Sequence, residues 1–308
     1  MKSNIFKNGT YLALLTALIS GFSIFINKFA VTGLENPVLF SGVKNIIVAL
    51  FLVGVLIALK KQSEIRELTK QQWRQLSIIG LIGGAVPFAL FFTGLAMIPA
   101  INGAMIHKTL FIWVAILAAF FLKERFSLLQ WVGVGTLFLS NLLIGGFVGF
   151  SGGVGELLIL GATILWAIEN ILAKKVLYSV SSSVVSAGRM VFGSVFLGIF
   201  LAVSGELSEL FTISAVGLVW ILFTAFFLFG YVLTWYTALK HAPASYVAAI
   251  LVSSTLITNL LSVIFITGTI SEKQIVSGLY VILGTVLIIF YAKQSTQALG
   301  TEDKLAAT

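Results

Sequence analysis

The chain contains no cysteine, which removes disulfides, thiol nucleophiles and cysteine-based metal centres. It has only two histidines, His107 and His241, and no His-Glu-x-x-His run, so zinc hydrolysis lacks its ligands. Charge is scarce: 10% of residues are Asp, Glu, Lys or Arg, against about a quarter in soluble domains. There are 4 prolines in 308 residues. No Gly-x-x-x-x-Gly-Lys-[Ser/Thr] run exists, so no phosphate-binding loop of an ATP-driven pump is present. Neither a cofactor nor a metal is expected.

What the chain does have is apolar length. Hydrophobic residues make up 59%, with 26 Phe and 29 Gly, and the mean hydropathy is +1.08. This is the make-up of a polytopic helical membrane protein. A window of membrane length finds ten spans, at residues 10–30, 37–59, 75–95, 100–122, 128–147, 155–175, 184–203, 214–237, 243–266 and 274–292. They are too long and too continuously apolar for barrel strands. The first, Tyr11 to Phe29, is longer than a signal-peptide core and lacks a small-x-small cleavage site, so it is expected to stay as a transmembrane helix.

Basic residues set the expected orientation. With the N-terminus in the cytoplasm, that side receives Lys2, Lys7, Lys60, Lys61, Arg66, Lys70, Arg74, Lys123, Arg125, Lys174, Lys175, Lys240 and Lys293. The other side keeps Lys28 and Lys273, together with Glu35, Glu156, Glu206, Glu209 and Glu272. The expectation is a multi-pass protein of the inner or plasma membrane with both termini cytoplasmic. The +8 net charge sits at helix ends, so it is no nucleic-acid footprint. The Lys60–Gln75 loop reads as a charged connector, and Gly149–Gly155 as a flexible joint.

That joint separates two copies of one pattern. Offset by 146 residues, Gly9 falls on Gly155 and Lys28 on Lys174; by 145, Lys44 falls on Arg189. By 144, Pro99 falls on Pro243, Ser127 on Ser271 and Gln130 on Gln274. Each copy holds five spans, an odd number, so the two must lie in the membrane with opposite topology. The division is 1–148, 153–292 and a polar tail, 293–308, expected to be disordered. The fold class is thus all-α, ten transmembrane helices in two inverted five-helix repeats, an architecture of secondary transporters whose substrate site lies between the halves near the midplane.

Polar residues inside the spans are the candidates for function. Glu169 and Asn170 lie deep in the sixth span, where an ionised carboxylate costs roughly 3 kcal/mol on insertion scales. Thr16, Ser20, Ser23 and Asn27 form one stripe on the first span, and Thr255, Asn259 and Ser262 share a face of the ninth. Both stripes fit either hydrogen bonding between helices or a cavity wall. His107 and Lys108 lie in the fourth span; their readings are packing histidine or proton relay, and ion pair or anion binder. Trp166, Tyr231 and Trp235 supply either aromatic walls or packing. Glu169 can pair with Arg189 or meet Lys108. Whichever it does, three cations (Lys44, Lys108, Arg189) face one anion, so an anionic group on a substrate would be welcome. Glu169 then suits an ammonium group or a transported proton.

Several of these residues resemble the EamA-like branch of the drug/metabolite transporter superfamily, over roughly Gly9 to Tyr291. Gly21 and Lys28 fit its Trp-Gly…Lys pattern, with Ser20 in place of Trp; Trp166 restores the Trp in the second half. Pro37 and Lys44 fit its Pro…Arg, with Lys for Arg. Glu124 and Gln130-Trp-Val-Gly133 fit its Gly-Glu and Gln-x-x-Gly signatures, with Lys123 for the Gly; Gly268 falls opposite Glu124. The resemblance implies a carrier whose cavity is lined by spans 1, 3, 4, 6, 8 and 9. Together with the charge balance it leads to an exporter or exchanger of small amino-acid-like or other carboxylate metabolites, working by alternating access. The alternatives are an organic-phosphate or nucleotide-sugar carrier and a lipid flippase. An intramembrane enzyme has little support: Gly149-Phe-Ser-Gly152 puts Ser151 in the joint, with no histidine able to meet it. Expected partners are a small-molecule substrate and the lipid bilayer, without nucleic acid; a homodimer is left open.

Overall fold

The computed structural model describes residues 2–32, 36–125, 127–145 and 152–305. Glu35 and the first three residues of the glycine joint, 149–151, lie outside them. The helices are α1 (Lys2–Thr32), α2 (Pro37–Ala58), α3 (Gln62–Arg66), α4 (Lys70–Gly84), α5 (Val86–Leu95), α6 (Ala100–Lys108), α7 (Leu110–Phe121) and α8 (Leu128–Gly145). The second half holds α9 (Val154–Val176), α10 (Ser182–Val203), α11 (Ala215–His241), α12 (Ala244–Leu251), α13 (Ser254–Ser262) and α14 (Glu272–Leu305). The backbone of α14 continues into the stretch whose composition suggests disorder. Among the described residues there is no strand. Nine helical stretches are long and apolar enough to cross a membrane, and Leu128–Leu143 is a shorter tenth. The ten expected spans are all present, in two inverted repeats.

Local chemistry explains why the two halves matched in sequence. Ser127 and Gln130 form a reciprocal cap at the start of α8: Gln130 Oε1 accepts from the Ser127 N–H at 2.9 Å, and Ser127 Oγ from the Gln130 N–H at 3.3 Å. Ser271 and Gln274 repeat that geometry at the start of α14, at 2.9 and 3.3 Å. The capping box satisfies N–H groups that a helix start leaves unpaired. Gly9 and Gly155 also do equal jobs. A methyl on Gly9 would stand 2.9 Å from Ala242 Cβ, and one on Gly155 2.8 Å from Met97 Cβ. Each glycine therefore lets its helix close on the end of a span from the other half, α1 on α11 and α9 on α5.

Three spans that read as continuous in sequence are broken in the structure. The third breaks at Ala85 (φ −129°, ψ −72°), just ahead of Pro87. The fourth breaks at Thr109, whose hydroxyl donates back to the Ile106 carbonyl at 2.6 Å. The ninth breaks at Val252–Ser253, where the Ser253 hydroxyl donates to Ile250 at 2.7 Å. Such back-bonding competes with the helix ladder and bends it. Thr109 and Ser253 are repeat equivalents, so the two breaks are one device used twice.

Two apolar crevices of about 390 and 360 Å³ lie beside these breaks. The first is lined by Thr109, Ile112 and Phe138, the second by their equivalents Ser253, Leu256 and Ile282. Neither is lined by a candidate site residue. The peripheral spans α8 and α14 cross closely through Gly133 and Gly284, each of which would place a methyl within 3.0 Å of the other's carbonyl oxygen. The remaining helices enclose the interior where the polar residues meet.

Candidate functional site

The site is organised around one backbone carbonyl. In an unbroken helix the Gly83 oxygen would accept from the N–H four residues later, but that residue is Pro87, which has none. Two side chains from the other repeat take the place of that donor. Trp166 Nε1 of α9 donates to the Gly83 oxygen at 3.0 Å, and Arg189 Nη2 of α10 at 2.8 Å. Glycine is required here for room as well. A methyl on Gly83 would lie 2.6 Å from Glu169 Cγ, 3.0 Å from its Cδ and 3.3 Å from Arg189 Nε.

Glu169 is 3% exposed. Its Oε1 accepts from the Tyr236 hydroxyl at 2.5 Å. No ion pair joins it to Arg189, which donates instead to Gly83 and to the Met190 sulfur at 3.1 Å. The two charges nonetheless share one electrostatic cluster with Tyr231 and Tyr236. Lys108 is not part of it. Of the two partners the sequence offered for Glu169, Arg189 is the near one.

Neighbouring groups fix the walls. Asn170 donates to the Trp166 carbonyl at 2.9 Å and accepts from Trp235 Nε1 at 3.1 Å. Trp235 stacks on Tyr231, with ring centroids 5.8 Å apart. On the other side Trp166 meets His107 at 4.8 Å, Phe88 at 5.4 Å and Phe91 at 5.8 Å. Among the described residues His107 Nδ1 has no hydrogen-bond partner. Its ring serves chiefly as one side of an aromatic box.

A second cluster lies at the repeat-equivalent position, nearer the opposite ends of the spans. Asn27 donates to Ser23 Oγ at 3.1 Å and accepts from Lys44 Nζ at 3.4 Å. The ammonium also lies 4.7 Å from the Phe40 ring centroid, a cation–π contact. Lys44 matches Arg189, but Ser23 stands where the other half has Glu169, so among the described residues this cluster has a cation without a carboxylate. Lys108, Thr255 and Asn259 are partly exposed, and their side chains make no hydrogen bond among the described residues. Ser20 is 9% exposed beside Gly21, where α1 and α13 come so close that a methyl would meet Ile257 Cβ at 2.5 Å. Thr258 ties this crossing by donating to the Gly21 carbonyl at 3.0 Å.

The model of the EamA-like transporter family matches residues 7–146 and again 153–290. The chain belongs to the EamA-like transporter family. It is 30% identical over 253 residues to the uncharacterized transporter YyaM of Bacillus subtilis (strain 168), covering 78% of this chain and 77% of that one. It is 26% identical over 281 residues to the uncharacterized transporter YvbV of the same organism, covering 88% of each. A crystal structure of a protein 16% identical in sequence superposes with a TM-score of 0.76, over 96% of this chain and 98% of that one. At that identity it bears on the fold alone.

In this EamA-like transporter the residues expected at the site divide into three groups. Trp166, Glu169, Asn170, Tyr231, Trp235 and His107 come together around the third-span break. Ser23 and Asn27 join Lys44. The side chains of Lys108, Thr255 and Asn259 make no hydrogen bond among the described residues, and Ser20 sits at a helix crossing. Sequence reasoning missed Tyr236, which carries no local signal, and Gly83. Gly83 had one: a proline in a span frees the carbonyl four residues before it.

Proposed function

We propose that the protein is a secondary carrier of small carboxylate-bearing metabolites, amino-acid-like compounds first, which it exports or exchanges by alternating access. The observation that carries this reading is Lys108, a cation inside the bundle with no acceptor among the described residues. An unpaired ammonium in such surroundings favours an anionic ligand. With Lys44 and Arg189 it makes three cations away from the span ends, where Glu169 is the matching acid. The carboxylate of a zwitterionic substrate would go to Lys108, among Thr255, Asn259, Ser20, Ser23 and Asn27. Its ammonium would go toward Glu169, beneath the box of Trp166, His107, Tyr231 and Trp235, with Asn170 setting Trp235. Glu169 is also the group that would carry a proton if transport is coupled.

On this reading the protein sits in the plasma membrane with its basic face in the cytoplasm, and 1–148 and 153–292 are the units that move. An organic phosphate would suit the cation excess as well, so the assay must separate the two. Uptake into proteoliposomes is measured with labelled amino acids, carboxylates and phosphate esters. The expected result is carboxylate transport that falls at least tenfold in Lys108→Met. A Lys108→Met protein with unchanged anion selectivity removes the binding role, and preference for phosphate esters replaces the substrate class. Glu169→Gln tests coupling: equal transport at every pH ends the proton role.

A further inference from the structure

The two ends of the bundle are not closed alike. At the basic face α7 packs on α12, and Glu124, just past α7, reaches the start of α12. Its carboxylate accepts from the N–H groups of Ala244 at 2.7 Å and Ser245 at 3.2 Å, and from the Ser245 hydroxyl. From α9, Lys174 donates to the carbonyls of Leu239 at 2.5 Å and Ala242 at 2.8 Å, at the end of α11. The turn between α11 and α12 is thus held by an anion on the helix that starts and a cation on the helix that ends. Each has the sign its helix dipole favours. Around the turn Leu239, Ala242, Ala244 and Tyr246 are almost wholly buried.

Among the described residues the opposite face has no counterpart to the Glu124 contact. Lys123 (φ 54°) and Gly268 (φ 66°) hold the same left-handed position after their helices. Backbone geometry therefore sets Gly268 against Lys123, not against Glu124 as the residue count suggests. The residue standing where Glu124 stands is Thr269. It is exposed and offers only a carbonyl, to the Thr267 hydroxyl. No interface comparable to that of α7 with α12 joins α6 to α13.

The packing between the ends is unequal as well. Near the middle of their spans α4 meets α10 at backbone distance: a methyl on Gly84 would lie 2.7 Å from Gly193 Cα, and one on Gly80 2.8 Å from its nitrogen. The equivalent pair, α11 and α2, meets through the rings of Phe229 and Phe51, 5.9 Å apart.

We propose that Glu124 is the latch of the gate at the basic face. It holds the resting carrier open toward the other side, and its release from α12 is a step in each transport cycle. Because the opposite gate has Thr269 in place of an acid, the resting equilibrium is one-sided. This inference rests on the carrier reading above.

The absence of cysteine makes single-cysteine reporters clean. Ser23→Cys reports on the opposite face and Ala248→Cys, buried on α12, on the basic face. Their labelling rates with a membrane-impermeant maleimide are compared in vesicles of known sidedness, without substrate. Glu124→Ala should lower the Ser23 to Ala248 rate ratio at least about tenfold, given the strength of hydrogen bonds to a carboxylate. Thr269→Glu, which adds the missing acid, should move the ratio the same way. Unchanged ratios overturn the proposal, as does a Glu124→Ala protein that melts earlier with its ratio intact, which would make Glu124 a structural brace. If Glu124→Ala does not fold, the Thr269→Glu ratio decides alone. Failure to transport any substrate would refute the carrier reading while leaving the labelling result to judge the latch.

Discussion

Removing the Arg189 charge tests whether the Gly83 junction holds Glu169 by electrostatics. One point above Gly83 lies 3.0 Å from Glu169 Cδ and 3.3 Å from Arg189 Nε, so those two atoms are at most about 6 Å apart. At that separation and an effective dielectric near 20, opposite unit charges attract by about 3 kcal/mol. Arg189→Met would remove that attraction from a buried carboxylate whose hydrogen-bond donor is Tyr236, a loss of about 3 kcal/mol at that separation. Glu169→Gln keeps an acceptor for Tyr236 and removes the need for a counter-charge. The double variant should therefore be more stable than the sum of the single losses allows, by about 2–3 kcal/mol. The assay is a double-mutant cycle by reversible unfolding in mixed micelles, near neutral pH. A coupling below about 0.5 kcal/mol, the usual limit of additivity, would refute the electrostatic cluster.

Pro87→Ala would return an N–H to the Gly83 carbonyl and displace Trp166 and Arg189; thermal stability should rise, since an interior proline costs about 3 kcal/mol, while transport falls. Retained transport with a straightened third span would show that the freed carbonyl is dispensable. Gly84→Ala drives a methyl toward Gly193 Cα and should cost about 1–3 kcal/mol as overpacking, read as a lowered melting temperature. Glu64, in the connector, is desolvated, which alone would raise its pKa. Hydrogen bonds from the Ser181 N–H at 2.7 Å and from Lys61 at 3.0 Å outweigh this and hold it below the ordinary carboxylate value. Its tie to α10 is therefore present above the ordinary carboxylate range and lost as pH falls through the lowered folded value. Hydrogen exchange at the Ser181 amide should quicken there in the wild type, and Glu64→Gln should abolish that pH dependence.

The connector was read from sequence as a solvated linker, and in the structure it does more. Glu64 grips Ser181, the N-cap of α10, while Asn36, the N-cap of α2, donates to Glu206 at 2.9 Å and Glu209 at 3.0 Å on the other face. Each repeat thus sends a carboxylate to the helix start of its counterpart. The matching residues, an acid and a cap, were visible in both halves. Which acid met which cap was not, because the partners lie more than a hundred residues apart.

The sequence by itself determined the ten spans, their duplication and the inversion. Apolar length is dictated by bilayer thickness, and an odd number of spans forces the second copy over. It also singled out Glu169, Lys44, Lys108 and Arg189, since charge inside lipid is costly enough to be conspicuous. The tertiary structure decided who partners whom. Glu169 goes to Tyr236 and lies near Arg189, Lys108 meets no acceptor among the described residues, and Glu124 fastens α12. Hydrogen bonds are made within about 3 Å, and no spacing along a chain fixes such distances between helices that meet only after packing.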